Sequence, residues 1–346
     1  MVLYLVIPCY NEEEALPLTA EAVRAKMEAL LAAGTISPES RVLFVDDGSR
    51  DTTWDILRGL VESNPLFSAM KLAHNVGHQN ALLAGLMTAK DRCDAAVSMD
   101  ADLQDDINAI DGFLQKYEEG CDVVYGVRNR RDTDTRFKRA TALLFYRFMR
   151  AMGVESVSNH ADYRLMSRRA LEALSEYREV NLFLRGIVPL IGYRSDYVYY
   201  DRQERAAGKS KYPLGKMLNF AEEGITSFSV KPLRIISAFG IIIACLSVFG
   251  LLYSLISKLT GNAVSGWTAI VASIWLLGGI QLLCIGVCGE YIGKIYNEVK
   301  ARPRYHTEEL RVRSEPFVPA CRPGGEESGE ESRQEGEEGE KGTKQA

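Results

Sequence analysis

Three carboxylates lie close together in the stretch SMDADLQD at residues 98–105, namely Asp100, Asp102 and Asp105. Carboxylates this close repel one another, so their clustering needs a reason. The run before them, CDAAVS, is short and apolar and indicates a buried strand, which places the carboxylates just beyond its carboxyl end. Oxygen ligands grouped there suit a hard divalent cation such as Mg²⁺ or Mn²⁺. A solvated turn is the alternative, because charge clusters at strand ends are commonly solvated.

The strands that would position these carboxylates are predicted from apolar runs that alternate with helical stretches. The runs are YLVIPCY, RVLFVDD, AMKLAH, AAVSMD and CDVVYGV. Such alternation predicts an α/β fold with a mostly parallel sheet and helices on both faces. Runs that are apolar on both faces fit a sheet of this kind.

Polar residues follow several of these strands, in PCYNEEE, VDDGSRDTT, MDADLQD and GVRNRR. Because the carboxyl ends of parallel strands meet at one edge of a sheet, these residues are expected to form a ligand site. Asp46 and Asp47 can accept hydrogen bonds from base and ribose groups, and Gly48 permits a tight turn. The chain has no Walker motif and no GxGxxG, which disfavours P-loop and dinucleotide-binding folds.

The net charge says little about the partners of the folded part. It is −5 for the whole chain, and residues 315–346 contain nine Glu and four Lys or Arg, which sum to −5. The rest of the chain is therefore neutral overall. The seven cysteines form no CxxC pair, which suggests reduced thiols in a cytosolic setting.

Two long apolar runs predict a transmembrane hairpin within residues 233–290. The run at about 233–256 has a single charge, Arg234, and the run at about 267–288 has none. Each is about long enough to cross a ~30 Å hydrocarbon core. Lys and Arg flank the outer ends and the connection offers only Lys258, so the positive-inside rule places both termini in the cytoplasm. The sequence thus predicts a multi-pass protein of the inner (plasma) membrane, with buried helices of a soluble core as the alternative.

The predicted domains follow from these boundaries. Residues 1–212 form a cytoplasmic α/β domain, and residues 213–232 form either an amphipathic juxtamembrane helix or a plain linker helix. After the hairpin, residues 291–310 form a cytoplasmic juxtamembrane segment. Residues 311–346 form a Gly- and Glu-rich acidic tail that we expect to be disordered.

Five motifs, in their order and spacing, resemble those of the GT-A glycosyltransferases of family 2. They are PCYNEE, VDDGSRDTT, NVGHQNALLAGL, DADLQD and GVR. The second half of the chain narrows the resemblance to one group within this family. The features that do so are DYRLMSRRALEAL, RAAGKSKYPLGKML, the two apolar runs and GEYIGKIYNEVKARPRY. They are similar to the polyisoprenyl-phosphate glycosyltransferases, the dolichol-phosphate mannose synthase-like group with two C-terminal transmembrane helices. The likeness covers about residues 2–308. It implies that residues 1–212 are a catalytic domain of the GT-A, Rossmann-like fold.

The resemblance also implies the reaction. A sugar would move with inversion from a nucleotide sugar to a polyprenyl phosphate such as undecaprenyl phosphate, at the cytoplasmic membrane face, for modification of cell-envelope glycans. UDP-glucose is the first expectation for the donor, and UDP-GlcNAc or a modified sugar is the second. The acceptor is a phosphate monoester with a second pKa near 6, so it is already mostly dianionic and needs no strong general base. The resemblance further suggests a homotetramer, and we expect no nucleic-acid partner.

The resemblance assigns roles to particular residues. The ligands of Mg²⁺ or Mn²⁺ would be Asp100, Asp102 and Gln104. The catalytic set, which includes cations near the meeting phosphates, would be Asp102, Arg128, Arg139 and Lys211. The substrate-binding set would be Pro8, Tyr10, Asn11, Glu12, Asp46, Asp47, Asp100, Ala101, Asp102, Arg128, Arg139, Ser210 and Lys211.

Two other functions are compatible with the sequence. A membrane-tethered nucleotide-sugar sensor or scaffold would use the same binding residues without turnover. Glycosyl transfer to a different lipid acceptor would keep the chemistry and change the second substrate. Turnover of a nucleotide sugar in the presence of polyprenyl phosphate separates the enzyme from the sensor.

Overall fold

A computed structural model of the chain shows an α/β fold built on one mixed sheet. The residues that the structure describes are 1–128, 160–180, 182–201, 229, 231–240, 242, 245, 249 and 267–312. The strands are β1 (Leu3–Cys9), β2 (Arg41–Asp46), β3 (Phe67–Leu72), β4 (Ala95–Ser98), β5 (Val123–Arg128), β6 (His160–Ser167), β7 (Ser195–Tyr200) and β8 (Thr307–Arg311).

The strand order is β7-β5-β6-β4-β1-β2-β3-β8. The centre of the sheet is parallel, because β1 pairs in parallel with both β2 and β4, and β2 does so with β3. Each of the five predicted strands is present, and the predicted α/β sheet is confirmed. The sheet is more mixed than expected, since β6 pairs antiparallel with both β4 and β5, and β8 pairs antiparallel with β3.

Helices cover both faces of the sheet, as predicted. On one face, α1 (Leu16–Ala32), α2 (Thr53–Ser63) and α4 (Ala109–Glu118) pack against the side chains of Leu3, Leu5 and Ile7 of β1. On the other face, α3 (His78–Lys90), α5 (Arg168–Glu176) and α6 (Leu184–Leu190) pack against Tyr4 and Val6. Alternate residues of one strand thus enter two different cores, which is why the central runs are apolar at every position.

The predicted location as a multi-pass protein of the inner membrane is wrong. Among the helices in the described part of the chain, none combines the length and the apolarity that crossing a bilayer requires. The second predicted span, 267–288, belongs to a longer helix, α7 (Trp267–Lys300), whose final turns carry Glu290, Lys294 and Glu298. The uncharged run that suggested a span is thus only the first part of a helix that ends in charged turns.

The other predicted segments fall largely on residues that the structure does not describe. Of the first predicted span, 233–256, the structure describes residues 233–240, 242, 245 and 249, and the stretch 231–240 is helical. The segment 213–232 and the tail 311–346 are described only at a few positions.

The predicted segment 291–310 returns to the sheet, which the sequence analysis did not anticipate. It contains the end of α7 and most of β8, which extends the sheet at the edge of β3. Lys71 Nζ lies 3.0 Å from Glu308 Oε1 across this strand pair. Glu298 Oε2 of α7 accepts a hydrogen bond from the Val180 N–H at 2.8 Å, so both α7 and β8 contact the α/β domain.

Gly48 lets the loop after β2 approach the loop before α3. Its φ is +65°, and a Cβ at this position would lie 2.7 Å from the backbone nitrogen of Asn75 and from the carbonyl carbon of His74. Real Cβ contacts are not this short. Both contacting atoms belong to the backbone, so they cannot move aside as the end of a flexible side chain can. The glycine is therefore required both for its conformation and for the close approach.

Gly48→Ala is expected to lower the free energy of unfolding far more than Gly34→Ala. Gly34 is a matched control, because its φ is +71° but nothing lies within 4 Å of the added Cβ. The left-handed conformation alone costs about 1–2 kcal/mol for a non-glycine residue, and overpacking adds roughly 1–3 kcal/mol at Gly48. Urea titration of the two purified variants and the parent chain measures the difference. Equal losses for the two alanines would show that the loops do not approach as described.

Candidate active site

A cleft of about 440 Å³ opens at the edge of the sheet where β1, β2 and β4 end. The loops after these strands, the start of α3, strand β6 and the start of α6 all contribute to its wall. The volume is in the usual range of small-molecule sites, and the carboxyl edge of an α/β sheet is where such sites form. The cleft is therefore the candidate active site.

The loop after β1 is fixed to the loop after β2 by hydrogen bonds. The N–H of Asn11, which has a φ of +52°, donates to Ser49 Oγ at 3.0 Å. Asn11 Oδ1 accepts from the N–H of Arg50 at 2.9 Å, and the N–H of Glu12 donates to Thr53 Oγ1 at 2.9 Å. Asn11 therefore joins two loops and is not one of the cleft-lining residues, whereas Glu12 beside it lines the cleft.

Asp47 is the residue after β2 that reaches the cleft. Its Oδ1 accepts from the N–H of Val76 at 2.7 Å, and its Oδ2 accepts from the N–H of Gly77 at 3.0 Å. Burial raises the pKa of Asp47, and these two hydrogen bonds oppose the rise. Asp46 is buried below the cleft, where its Oδ1 accepts from the Ser49 N–H at 3.3 Å and burial raises its pKa. Of the two predicted base- or ribose-binding carboxylates, only Asp47 lines the cleft.

The loop after β4 carries Asp100, Ala101 and Asp102 into the cleft. Its backbone is held by α1, because Thr19 Oγ1 donates to the carbonyl oxygen of Ala101 at 2.6 Å. The N–H of Gln104 donates to Asp102 Oδ1 at 3.1 Å, which orients that carboxylate. The Gln104 side chain is buried and does not line the cleft, so its role as a metal ligand stays a prediction.

Negative charge is concentrated around Asp100. Burial raises the pKa of Asp100 to about 6, Asp105, Asp162 and Asp102 add to the rise, and His78 opposes it. Carboxylates that raise one another's pKa are stabilised by a divalent cation. In the described part of the chain, no three His, Cys, Asp or Glu side chains form a complete metal site. Two carboxylates nevertheless fit Mg²⁺, since this ion commonly takes its other ligands from water and substrate phosphates.

Asp162 of β6 is a cleft residue to which the sequence analysis gave no role. Its Oδ1 accepts from Arg164 Nη2 at 2.6 Å, and its two oxygens accept from Arg185 Nε at 3.2 Å and Arg185 Nη2 at 3.1 Å. Burial alone would raise the pKa of Asp162, but the two guanidinium groups hold this pKa well below its usual range. Asp162 is therefore ionised at neutral pH.

His78 lies between two of these carboxylates. Its Nε2 is 3.6 Å from Asp100 Oδ1 and 3.7 Å from Asp162 Oδ2. The next residue, Gln79, accepts a hydrogen bond at its Oε1 from the Leu184 N–H at 2.8 Å. The first turn of α3 therefore connects the loop after β4 to the start of α6.

Arg128 at the end of β5 is held by a buried carboxylate. Its Nη2 and Nε lie 2.9 Å and 3.2 Å from Asp105 Oδ1, and Tyr200 Oη of β7 donates to the same oxygen at 2.6 Å. The side chain of Asp105 is 1% exposed. Because a buried carboxylate without partners is costly, Arg128 and Tyr200 have to offset the loss of its contact with water. Arg128 does not line the cleft, and its predicted contact with substrate stays a prediction.

The structure brings together about half of the predicted substrate-binding residues. Those that line the cleft are Pro8, Tyr10, Glu12, Asp47, Asp100, Ala101 and Asp102. Those described but outside its lining are Asn11, Asp46 and Arg128, and the predicted metal ligand Gln104 is also outside it. Those beyond the described residues, for which the prediction stands untested, are Arg139, Ser210 and Lys211.

Eight residues of the cleft lining were not predicted, and four of them make the side-chain contacts described above. His78 and Gln79 belong to the motif NVGHQNALLAGL and Asp162 belongs to DYRLMSRRALEAL, so both motifs were recognised without roles for these side chains. Arg185 lies in no quoted motif. A polar residue at the first turn of a predicted helix next to the ligand edge was the available indication for His78 and Gln79.

Tyr200→Phe is expected to lower the free energy of unfolding by about 1.5–3 kcal/mol, because a buried carboxylate loses one of its hydrogen bonds. Tyr199→Phe on the same strand is the control, since Tyr199 is 66% exposed and its change should stay within roughly 0.5 kcal/mol. Denaturant titration of both variants provides the comparison. If Tyr200→Phe is as stable as the control, Tyr200 does not support Asp105.

Comparisons with known proteins identify the family of the chain. The family described as Glycosyl transferase family 2 matches residues 4–175. The chain is 53% identical over 304 residues to the uncharacterized glycosyltransferase YkoT of Bacillus subtilis, covering 88% of this chain and 90% of that protein. It is 42% identical over 308 residues to the SfII prophage-derived bactoprenol glucosyl transferase of Shigella flexneri, covering 88% and 97%.

A third relative is the prophage bactoprenol glucosyl transferase homolog of Escherichia coli, 41% identical over 307 residues that cover 88% of this chain and 98% of that protein. The residues that match the family contain β1 to β6 and so most of the cleft wall. The similarity to the relatives spans 304–308 residues and is therefore longer than the family match. The chain therefore belongs to glycosyl transferase family 2 and is a glycosyltransferase.

Proposed function

We propose that this enzyme transfers a hexose from a nucleotide sugar to a polyprenyl phosphate such as undecaprenyl phosphate, with glucose as the proposed hexose. The observation that carries the proposal is the meeting of Asp47, Asp100 and Asp102 with Glu12 in one cleft at the carboxyl edge of the sheet. The relatives named bactoprenol glucosyl transferase support the acceptor and the sugar. UDP is proposed as the nucleotide.

The nucleotide would lie against the loops after β1 and β2. Tyr10 is 41% exposed at the cleft, and an aromatic ring placed there can stack on a base. Glu12 and Asp47 can accept hydrogen bonds from the base or from ribose hydroxyls. The hydrogen bonds that the backbone of residues 76 and 77 gives to Asp47 fix this carboxylate in place.

Asp100 and Asp102 would hold a divalent cation, Mg²⁺ or Mn²⁺, beside the diphosphate of the donor. Their clustered charge and the raised pKa of Asp100 fit a cation at this position. When bound, the ion neutralises the charge that develops on the departing nucleoside diphosphate. The N–H of the predicted ligand Gln104 would also fix the orientation of Asp102.

The proposed reaction does not need a strong general acid or base. An oxygen of the acceptor phosphate forms a bond to the anomeric carbon of the sugar, and the bond from that carbon to the nucleoside diphosphate breaks with its electron pair. The phosphate monoester is already mostly dianionic at neutral pH, so no proton has to be removed. A single in-line displacement on an α-linked donor would give a β-linked lipid phosphate. The main task of the cleft is therefore to hold two anions in line.

The proposal is tested by incubating the purified chain with undecaprenyl phosphate and a panel of nucleotide sugars, with Mg²⁺ or Mn²⁺, and weighing the lipid product by mass spectrometry. The expected result is a gain of one hexose on the lipid phosphate with UDP-glucose. A product with another lipid acceptor and none with undecaprenyl phosphate would overturn the acceptor assignment. A product with another donor only would overturn the choice of sugar.

Asp102→Asn is expected to lower the transfer rate by at least about a hundredfold, because stabilisation of the leaving diphosphate is lost. Asp91→Asn is the control, since Asp91 is 76% exposed and lies 3.5 Å from Lys90 Nζ, away from the cleft. UDP binding measured by calorimetry should be tightened by Mn²⁺ in the parent chain and in the control, but not in Asp102→Asn. Unchanged transfer and unchanged Mn²⁺-dependent binding in Asp102→Asn would refute the role of this carboxylate.

A further inference from the structure

The charges that line the cleft are unbalanced for a reaction between two anions. Five lining residues are carboxylates, namely Glu12, Asp47, Asp100, Asp102 and Asp162. Among the described lining residues, Arg185 is the one that carries a permanent positive charge. A divalent cation held by Asp100 and Asp102 can neutralise the diphosphate of the nucleotide sugar. The second substrate, however, also brings a phosphate dianion into the same cleft.

Arg185 is held firmly at the start of α6. The N–H of the preceding residue, Leu184, donates to Gln79 Oε1 at 2.8 Å, and the carbonyl oxygen of Leu184 accepts from Arg164 Nη1 at 3.4 Å. The side chain of Leu184 is 1% exposed and belongs to the core. The backbone that carries Arg185 is therefore fixed to both α3 and β6, and its guanidinium group is preorganised.

Arg185 shares the carboxylate of Asp162 with a second arginine. Arg164, which is 1% exposed, neutralises the same carboxylate from inside the domain. The group of Asp162, Arg164 and Arg185 therefore has a net charge of +1. Arg185 keeps 35% of its side chain exposed and lines the cleft, so its guanidinium group is accessible to a ligand there.

The position of Arg185 separates it from the carboxylates proposed to hold the metal. His78 contacts Asp100 at 3.6 Å and Asp162 at 3.7 Å, and Asp162 in turn contacts Arg185 at 3.1 Å. The sequence of contacts across the cleft is thus Asp100, His78, Asp162 and Arg185. An anion at Arg185 would lie beside Asp162, in the same cleft as the carboxylates proposed to hold the metal.

We propose that Arg185 is the binding residue for the phosphate of the acceptor, a role that rests on the proposed function. A guanidinium group presents parallel N–H donors that match two oxygens of a phosphate, and it remains charged at every relevant pH. Arg185 lies beyond residues 4–175, which match the family, so the acceptor site would be completed by a part of the chain outside that match. Asp162 would orient the guanidinium group while the acceptor binds.

The test compares the parent chain with Arg185→Gln and Arg185→Lys. Steady-state kinetics are measured with undecaprenyl phosphate and UDP-glucose varied separately. Calorimetry measures the binding of citronellyl phosphate, a short isoprenyl phosphate, in the presence of UDP and Mg²⁺. Arg168→Ala is the matched control, because Arg168 is an exposed arginine paired with Asp94 at 3.3 Å, near the start of β4 at the opposite edge of the sheet. Thermal unfolding confirms that each variant is folded.

Arg185→Gln is expected to raise the KM for undecaprenyl phosphate at least tenfold and to abolish measurable citronellyl phosphate binding. The KM for UDP-glucose and the Kd for UDP should stay within threefold, and Arg185→Lys should restore part of the acceptor affinity. An unchanged acceptor KM, a loss of UDP binding as large as the loss of acceptor binding, or a failure of the parent chain to bind citronellyl phosphate would each overturn the inference.

The two proposals can fail separately. If the parent chain transfers no sugar to undecaprenyl phosphate but binds citronellyl phosphate in a way that Arg185→Gln abolishes, the proposed function is wrong and the phosphate site remains. If the parent chain transfers sugar and the acceptor KM is unaffected by Arg185→Gln, the proposed function remains and the inference about Arg185 is wrong.

Discussion

Repulsion among carboxylates at one edge of the sheet is the constraint on which the site depends. The protein handles each carboxylate differently: backbone N–H groups bind Asp47, two arginines bind Asp162, and an arginine and a tyrosine bind Asp105. Burial raises the pKa of Asp100 to about 6, and the negative charges of Asp105, Asp162 and Asp102 add to the rise. The uncompensated charge is thus confined to one place, beside Asp102, where a divalent cation would lower the free energy most.

The antiparallel strand β6 explains how the counter-charges reach this edge. A parallel strand presents its carboxyl end there, whereas a strand that runs the other way presents its amino end. Because β6 pairs antiparallel with β4, with Ser98 opposite Arg164, the residues that enter β6 lie beside the loop that leaves β4. Asp162 therefore meets Asp100 although the two are far apart in sequence. One reversed strand supplies both a buried arginine and a cleft carboxylate.

The sequence predicts the α/β core and the ligand edge, because apolar runs and the polar residues after them are local patterns. It does not predict β6 or β8, since the direction of a strand depends on the partner it finds and not on its own residues. The spacing of Asp100 and Asp102 after an apolar run was enough to predict that they lie at the ligand edge. Arg185 was not, because its place in the cleft depends on α6 packing against α3. The apolar run at 267–288 suggested a span because its composition does not show that the helix continues into charged turns.

If Asp100 and Asp102 hold a cation and Arg185 holds a phosphate, as proposed, the two sides of the cleft have opposite needs, and Asp162 and His78 lie between them. A side that accepts a cation must be acidic, and a side that accepts a bare phosphate must be basic. Placed in direct contact, the two sides would neutralise each other and neither would attract its ligand. An ionised Asp162 bound to Arg185, with His78 next to it, separates the two sides at distances of 3.1–3.7 Å between neighbours. In the proposed reaction each ligand would neutralise the side it meets, which would let the two anions approach within reacting distance.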